Sequence, residues 1–258
     1  MKDAADSGLT GRSVLVTGAS SGIGRAIALA SARAGADVAI TYRSNEEAAR
    51  DVEREIQSLG RQAAVIQLDV VDEQSVGRVG PAACDALGHL DVWVNNAGAD
   101  ILTGPNAALS DMEKLDLLMA VDFRGTMLAS WQAAQTLGDQ EEGGVIINMS
   151  WDHVLTGMAG RNPQMFAAVK GAVLAFSKSL ARSVAPRVRV NILAPGWIET
   201  SFADGLNEDT RRAVAESTPL KRWGTPDDVA GAAVFLASPA AAFLTGQTIH
   251  VGGGAVMA

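Results

Sequence analysis

One tyrosine and one cysteine occur among the 258 residues of this chain, and aromatic residues make up only 5% of it. The lone cysteine, Cys84, rules out an internal disulfide, fits a reducing compartment and reads as a small core residue. The lone tyrosine, Tyr42, is the one phenol available for acid–base work. The three histidines, His89, His153 and His250, stand in separate segments without ligand spacing, so no metal site is expected. Long apolar runs are missing too. The most apolar stretch, VAGAAVFLASPAAAFLTG from Val229, is broken by Ser238 and Pro239 and reads as a buried helix with its exit loop, not a membrane span. Basic charge is scarce: 21 Lys and Arg stand against 29 Asp and Glu, for a net charge of −8. That balance disfavours nucleic acid and anionic membranes as partners and points to a small molecule. The leader MKDAADSGLTGR carries acids and no apolar run. It reads as a flexible tail over residues 1–12, not a secretory signal, and the chain as cytoplasmic.

What is present is enough apolar material, 48%, for one sizeable core. Short Val- and Ile-rich runs recur at SVLVTG, DVAITY, AAVIQLDV, LDVWVNNAG, GVIINMS, VRVNIL and QTIHV, each with the look of a strand buried on both faces. Alanine-rich helical segments lie between them, and Gly35 and Gly60 are placed to stop two of these. Strand and helix alternate, with no repeat or linker to divide the chain. The expected fold is therefore a single α/β domain over residues 13–258, a doubly wound Rossmann-type parallel sheet with helices on both faces. The long segment after Pro195, about residues 196–225, carries few strand signals and is read as a substrate lid.

In VLVTGASSGIGRAIA a strand runs into a glycine-rich turn and then a helix. Gly18, Gly22 and Gly24 let the backbone turn tightly and approach a pyrophosphate, which the free N–H groups of the helix start attract. Ser20, Ser21 and Ile23 complete that turn. The second strand ends in TYRSN, where a site for NAD places an acid against the ribose hydroxyls. Arg43 stands there instead, with Ser44 and Asn45 as further donors, and a guanidinium pairs with the 2′-phosphate of NADP. NADP(H) is the preferred cofactor on this reading, with NAD(H) the second choice.

These motifs, in this order, resemble the short-chain dehydrogenase/reductase family from Ser13 to Gly254. TGASSGIG resembles the family's cofactor loop. LDV places Asp69, with Val70 beside it, where the family binds the adenine amino group, and NNAG supplies Asn96, Ala97 and Gly98. PGWIET resembles the segment that holds the nicotinamide amide, with Pro195 and Gly196 leading to the backbone of Ile198 and the hydroxyl of Thr200. RWGTPDDVA and TGQTIHVGGG are similar to the closing signatures. The resemblance implies a seven-stranded sheet, a homotetramer packed through two helices and the C-terminal strand, and a catalytic Tyr-x-x-x-Lys pair.

That pair is where the chain departs. It has Phe166-x-x-x-Lys170, and Tyr42 belongs at the adenosine end. The resemblance places a carbonyl-polarising serine just after GVIINMS, where Trp151 follows Ser150, and an asparagine in AVDFRG, where Asp122 stands. Only Lys170 is kept. His153 lies thirteen residues before Phe166, close to the family's spacing between serine and tyrosine, so either Asp152 or His153 is a candidate to face the nicotinamide. The plainer readings are a local hydrogen bond for Asp122, a turn for Asp152, a loop position for His153, and simple packing of Trp151 on Phe166. Three functions follow: an NADP(H)-dependent oxidoreductase weak on ordinary carbonyls, a cofactor-binding protein without redox turnover, or a lyase, isomerase or cyclase that reuses the pocket.

Overall fold

A computed structural model describes residues 8–257 of the chain, the Asp204 side chain excepted. The seven apolar runs become seven strands: β1 (Ser13–Val16), β2 (Asp37–Tyr42), β3 (Ala63–Gln67), β4 (Val92–Asn95), β5 (Gly144–Met149), β6 (Val188–Pro195) and β7 (Thr248–Val251). All pair in parallel, in the order β3-β2-β1-β4-β5-β6-β7. Chain order reverses between β1 and β4, so the loops leaving these two strands diverge and open a crevice at the carboxyl edge.

The helices are α1 (Gly22–Arg33), α2 (Glu46–Ser58), α3 (Glu73–Leu87), α4 (Asp111–Leu118), α5 (Thr126–Gly138), α6 (Arg161–Val184), α7 (Ser201–Asp204), α8 (Glu208–Ser217) and α9 (Pro226–Ala237). Their starts are specified locally. Asn45 accepts from the N–H of Ala48 at α2, Asp72 from Gln74 at α3, and Ser110–Glu113 and Thr225–Asp228 close reciprocal caps at α4 and α9. α1 and α2 stop two residues before Gly35 and Gly60.

Both faces of the sheet are apolar because successive strand residues point to opposite sides. Val14 and Val16 meet Ile27 of α1, Val52 of α2 and Leu236 of α9 in one core. Leu15, between them, joins Trp93 and Ile146 against Val79 of α3, Leu137 of α5 and Leu180 of α6 in the other. The flexible tail expected over residues 1–12 gives way to anchored chain at Leu9, which is fully buried and donates its N–H to Ala34 O at 2.6 Å. Arg12 pairs with Asp91 at 2.6 Å. Residues 1–7 lie outside the described residues.

A polar network crosses the second core and fixes the strand ends that carry the site. Asn95 and Asn148 are register partners on β4 and β5, and Asn95 Nδ2 donates to Asn148 Oδ1 at 2.8 Å. Asn148 Nδ2 donates to Ser177 Oγ of α6 at 2.8 Å, Ser130 Oγ of α5 to Asn148 Oδ1 at 3.2 Å, and Trp93 Nε1 to Asn95 Oδ1 at 2.8 Å. Each of the two asparagine side chains is thus satisfied as donor and as acceptor without water. Asn148→Ala takes an acceptor from the Asn95 amide and from Ser130 Oγ and a donor from Ser177 Oγ, although the Asn95 amide keeps Ser130 Oγ at 3.0 Å and Ser177 Oγ keeps Val173 O at 2.7 Å. A buried polar group left short of a partner costs about 1–3 kcal/mol. Urea unfolding should show a loss of at least that size; an unchanged midpoint would mean that the network adds nothing.

Candidate active site

The β1–α1 turn and the loop after β4 face each other across the crevice. Thr17 is buried between them, and its Oγ1 accepts from the N–H groups of Asn96 at 2.9 Å and Ala97 at 3.0 Å. Asn96 Nδ2 donates back to Thr17 O at 3.0 Å and Gly18 O at 3.2 Å. A methyl group on Gly24 would sit 2.4 Å from Asn96 Nδ2 and 2.5 Å from Gly18 O, so this turn closes only around glycine. Ser21 caps α1 with extended backbone and no side-chain bond, and the first turn holds no acid. The N–H groups of Gly22, Ile23 and Gly24 at that helix start are therefore receptive to an anion, with Ser20 beside them.

Other predicted residues gather along the same edge. Arg43 and Ser44 are exposed past β2. Past β3, Asp69 is turned by Val71 N–H to Oδ1 at 3.1 Å and by its own N–H to Ser75 Oγ at 3.1 Å, with Val70 buried next to it. Past β6, Pro195 and Gly196 lead to Ile198, which is buried and bridges to Gly224. Thr200 approaches the glycine turn: a methyl on Gly22 would lie 3.9 Å from its Cγ2. The strands thus place Arg43 and Asp69 at one end of the edge, the glycine turn between, and Thr200 toward an opposite end.

At that opposite end α4 runs into α5 through a π-helical segment, Met119–Gly125. Its wider turn carries Asp122 inward, as such bulges do at functional sites. Asp122 and Lys170 are both buried, and Lys170 Nζ meets Asp122 Oδ2 at 2.8 Å. Asp122 Oδ1 accepts from Ala99 N at 2.8 Å, and Lys170 Nζ also reaches Met149 O at 3.4 Å. Gly98 leaves room for the carboxylate, which would be 3.1 Å from a methyl there. Ser150 is committed elsewhere: its Oγ donates to Lys170 O at 2.9 Å.

Around this ion pair stands an aromatic wall. The Phe166 ring centre is 5.4 Å from Lys170 Nζ. Trp151 meets Phe166 edge-on at 5.4 Å and stacks on His153 at 5.1 Å. His153 Nδ1 lies 2.5 Å from Asp152 Oδ1, and Asp152 is fully buried. Its Oδ2, with no hydrogen-bond partner among the described residues, fills the space where Gly196 and Gly252 lack side chains; methyls there would come within 2.4 and 2.2 Å of it. Burial pushes the Asp152 carboxyl above the usual carboxylate range, while the hydrogen bond and charge of His153, and the charge of His250, pull it back.

The family model described as enoyl-(acyl carrier protein) reductase matches residues 18–256. An uncharacterized oxidoreductase of Mycobacterium tuberculosis is 40% identical over 93% of this chain and 90% of its own length. A 3-oxoacyl-[acyl-carrier-protein] reductase of Staphylococcus aureus is 37% identical over 95% of this chain and 98% of its own. The solved structure of a short-chain dehydrogenase from Burkholderia cenocepacia, in complex with NADP, superposes with a TM-score of 0.84 at 37% identity, over 96% of this chain and 98% of that one. The chain belongs to the short-chain dehydrogenase/reductase family.

In this short-chain dehydrogenase/reductase the sequence reading missed Thr17, Gly252 and the pairing of Asp122 with Lys170. Thr17 lies within the quoted VLVTG run, but nothing in it signals a hydroxyl that organises another loop. Among the described residues no group of three or more His, Cys, Asp or Glu side chains is placed to hold a metal ion, and no helix is long and apolar enough to cross a membrane. The buried ion pair gives a direct test. Lys170→Met leaves Asp122 as an unpaired buried charge, which costs about 3–5 kcal/mol, whereas Lys170→Met with Asp122→Leu removes both charges and should recover most of it. Equal losses in the single and double variants, measured by urea unfolding, would show that the pair is not coupled.

Proposed function

We propose that this chain is an NADP(H)-dependent oxidoreductase whose active site departs from the family pattern, with Phe166 in the tyrosine position, Trp151 in the serine position, Asp122 in the asparagine position and Lys170 kept. The observation that carries this reading is the cofactor crevice, complete from the glycine turn to Thr200, ending on a lysine that faces a phenyl ring. The nicotinamide cofactor, when bound, supplies or accepts the hydride. Lys170, oriented by Asp122, holds the ribose end; Thr200 and the backbone of Ile198 hold the carboxamide; the aromatic wall excludes water. No phenol stands beside Lys170, and that ammonium is already neutralised by Asp122. The proton that an ordinary ketone needs as the alkoxide forms must therefore come from a group other than a phenol beside Lys170, and activated or cationic acceptors are favoured.

The segment over residues 196–225 serves as the lid. α7 and α8 lie in it, and Trp197 stacks on Phe202 at 6.1 Å to give it an apolar inner wall. The protein assembles as a homotetramer, a reading supported by the exposed Trp131, edge-on to Phe176 across α5 and α6, and by fully exposed Phe243 shortly before β7.

NADPH should bind at least tenfold more tightly than NADH, since a charge-assisted contact from Arg43 to the 2′-phosphate is worth about 1.5–3 kcal/mol. Fluorescence titration of Arg43→Ala should abolish that preference; if the preference survives, the 2′-phosphate is read elsewhere. Tight NADPH binding with no turnover of ketones, quinones or imines would favour a non-redox role.

Phe166→Tyr restores a phenol one turn from Lys170. Simple ketone reduction, followed by NADPH absorbance, should rise only modestly because Asp122 offsets the lysine charge that would acidify the phenol. Adding Trp151→Ser should raise it further and non-additively, since both groups act on one oxygen. A double variant that binds NADPH and stays inactive would mean that the pocket is remodelled beyond the loss of these two groups.

A further inference from the structure

Among the catalytic candidates, Asp152 and His153 are the pair whose chemistry the family pattern does not supply. The pair is built rather than incidental. Asp152 is fully buried against the ends of β6 and β7, in space left open by Gly196 and Gly252, and among the described residues only its Oδ1 has a hydrogen-bond partner. That partner is His153 Nδ1 at 2.5 Å. Trp151 covers one face of the imidazole and links it through Phe166 to Lys170. The ring is therefore locked in position and orientation, as a catalytic imidazole must be. His153 keeps about one sixth of its side chain exposed, 16%, whereas Asp152 keeps none.

We propose that His153 Nε2 is the atom that gives and takes the substrate proton, and that Asp152 is a positioning residue that fixes the tautomer and orientation of that imidazole. The inference rests on the oxidoreductase reading above and names the proton source it leaves open.

The physical reason lies in charge counting. A pair whose acid is wholly buried and whose imidazole is mostly so disfavours net charge. Three arrangements of the pair are neutral overall. A carboxylic acid donates from Oδ1 to bare Nδ1 with the proton on Nε2, or a carboxylate accepts from Nδ1 of an imidazolium that also carries a proton on Nε2; both leave a hydrogen on Nε2. The third, with the acid proton on Oδ2, Nδ1–H donating to Oδ1 and Nε2 bare, buries a hydroxyl that has no acceptor among the described residues. A carboxylate beside a neutral imidazole with bare Nε2 has a net charge of −1 and forms when the proton is given away. The resting pair is thus loaded as a donor. In the reductive direction the carbon of a C=O or C=N group takes a hydride from the reduced nicotinamide, the π electrons move to the heteroatom, and His153 Nε2–H protonates it. Asp152 and His153 Nδ1 keep the remaining proton between them, and water reloads Nε2. Oxidation runs the same transfers backwards. The other ionisable group whose charge acts on Asp152 is His250 of β7; Lys170 and Asp122, beyond Trp151 and Phe166, pair with each other.

The test uses the full chain with two readouts. In the first, NADPH oxidation is followed with an electron-poor keto ester and with a preformed N-methyl iminium salt, whose cationic carbon needs no proton in the hydride step. His153→Gln should lower the keto ester rate by about 10²-fold or more while changing the iminium rate only a few-fold. Asp152→Asn should do the same, chiefly in kcat, because an amide that donates to Nδ1 has no proton to pass to it, so giving up the Nε2 proton would leave an imidazolate. Losses of equal size on both substrates, or none on either, overturn the proposal. In the second readout, nitrogen-15 NMR of the imidazole at neutral pH, without substrate or cofactor, should find Nε2 protonated in the native protein and a neutral ring with bare Nδ1 in Asp152→Asn. A native imidazole with bare Nε2 at neutral pH also overturns it. If NADPH does not bind at all, the oxidoreductase reading fails, and the NMR result still decides whether the pair is loaded as described.

Discussion

A lysine ammonium and an aspartate carboxylate taken out of water together set the terms for the chemical end of this crevice. Neither charge is tolerable alone in that position, and together they hold only with their remaining valences met. The π-helical turn brings Asp122 in, Gly98 leaves room for it, Ala99 N–H takes its second oxygen, and α6 presents Lys170 from the far side. The loop after β4, the α4–α5 junction and the middle of α6 are thereby fastened at one point. The asparagine network beneath it fastens the strands that lead there. The stack of Phe166, Trp151 and His153 rests on this frame, since the phenyl ring packs over the same ammonium.

The frame also explains why an acid is missing in one place and present in another. A phenol at Phe166 would draw its acidity from a free ammonium, and Lys170 is not free. Among the described residues the buried carboxyl with an unmet oxygen is that of Asp152, next to the tryptophan. On the proposed reading the proton chemistry belongs there and not beside the lysine.

Much of the fold was legible because its determinants are local. Each strand is a contiguous apolar run, since both faces of a parallel sheet are covered, and all seven runs became strands. Caps such as Asn45 and Thr225 mark helix starts within three residues of themselves. The glycine turn was readable for the same reason. What could not be read was pairing across distance. Asp122 and Lys170 are 48 positions apart in the chain, and a helical pattern through AVDFRG gives no sign that the turn there is widened. For Asp152 the sequence left open a turn or a place facing the nicotinamide and gave no sign of its burial, which is produced by Gly196 and Gly252, far along the sequence. The tail was expected to run through residue 12 because a short polar leader hides one buried leucine, Leu9.

The carboxyl of Asp152 and the bare α-carbons of Gly196 and Gly252 occupy one shared volume. Any side chain larger than hydrogen at either glycine evicts the acid, and a shorter residue at 152 leaves a hollow that an alanine at either glycine position partly fills. Three positions far apart in the chain therefore act as one packing unit, in which a change at one alters the space open to the other two.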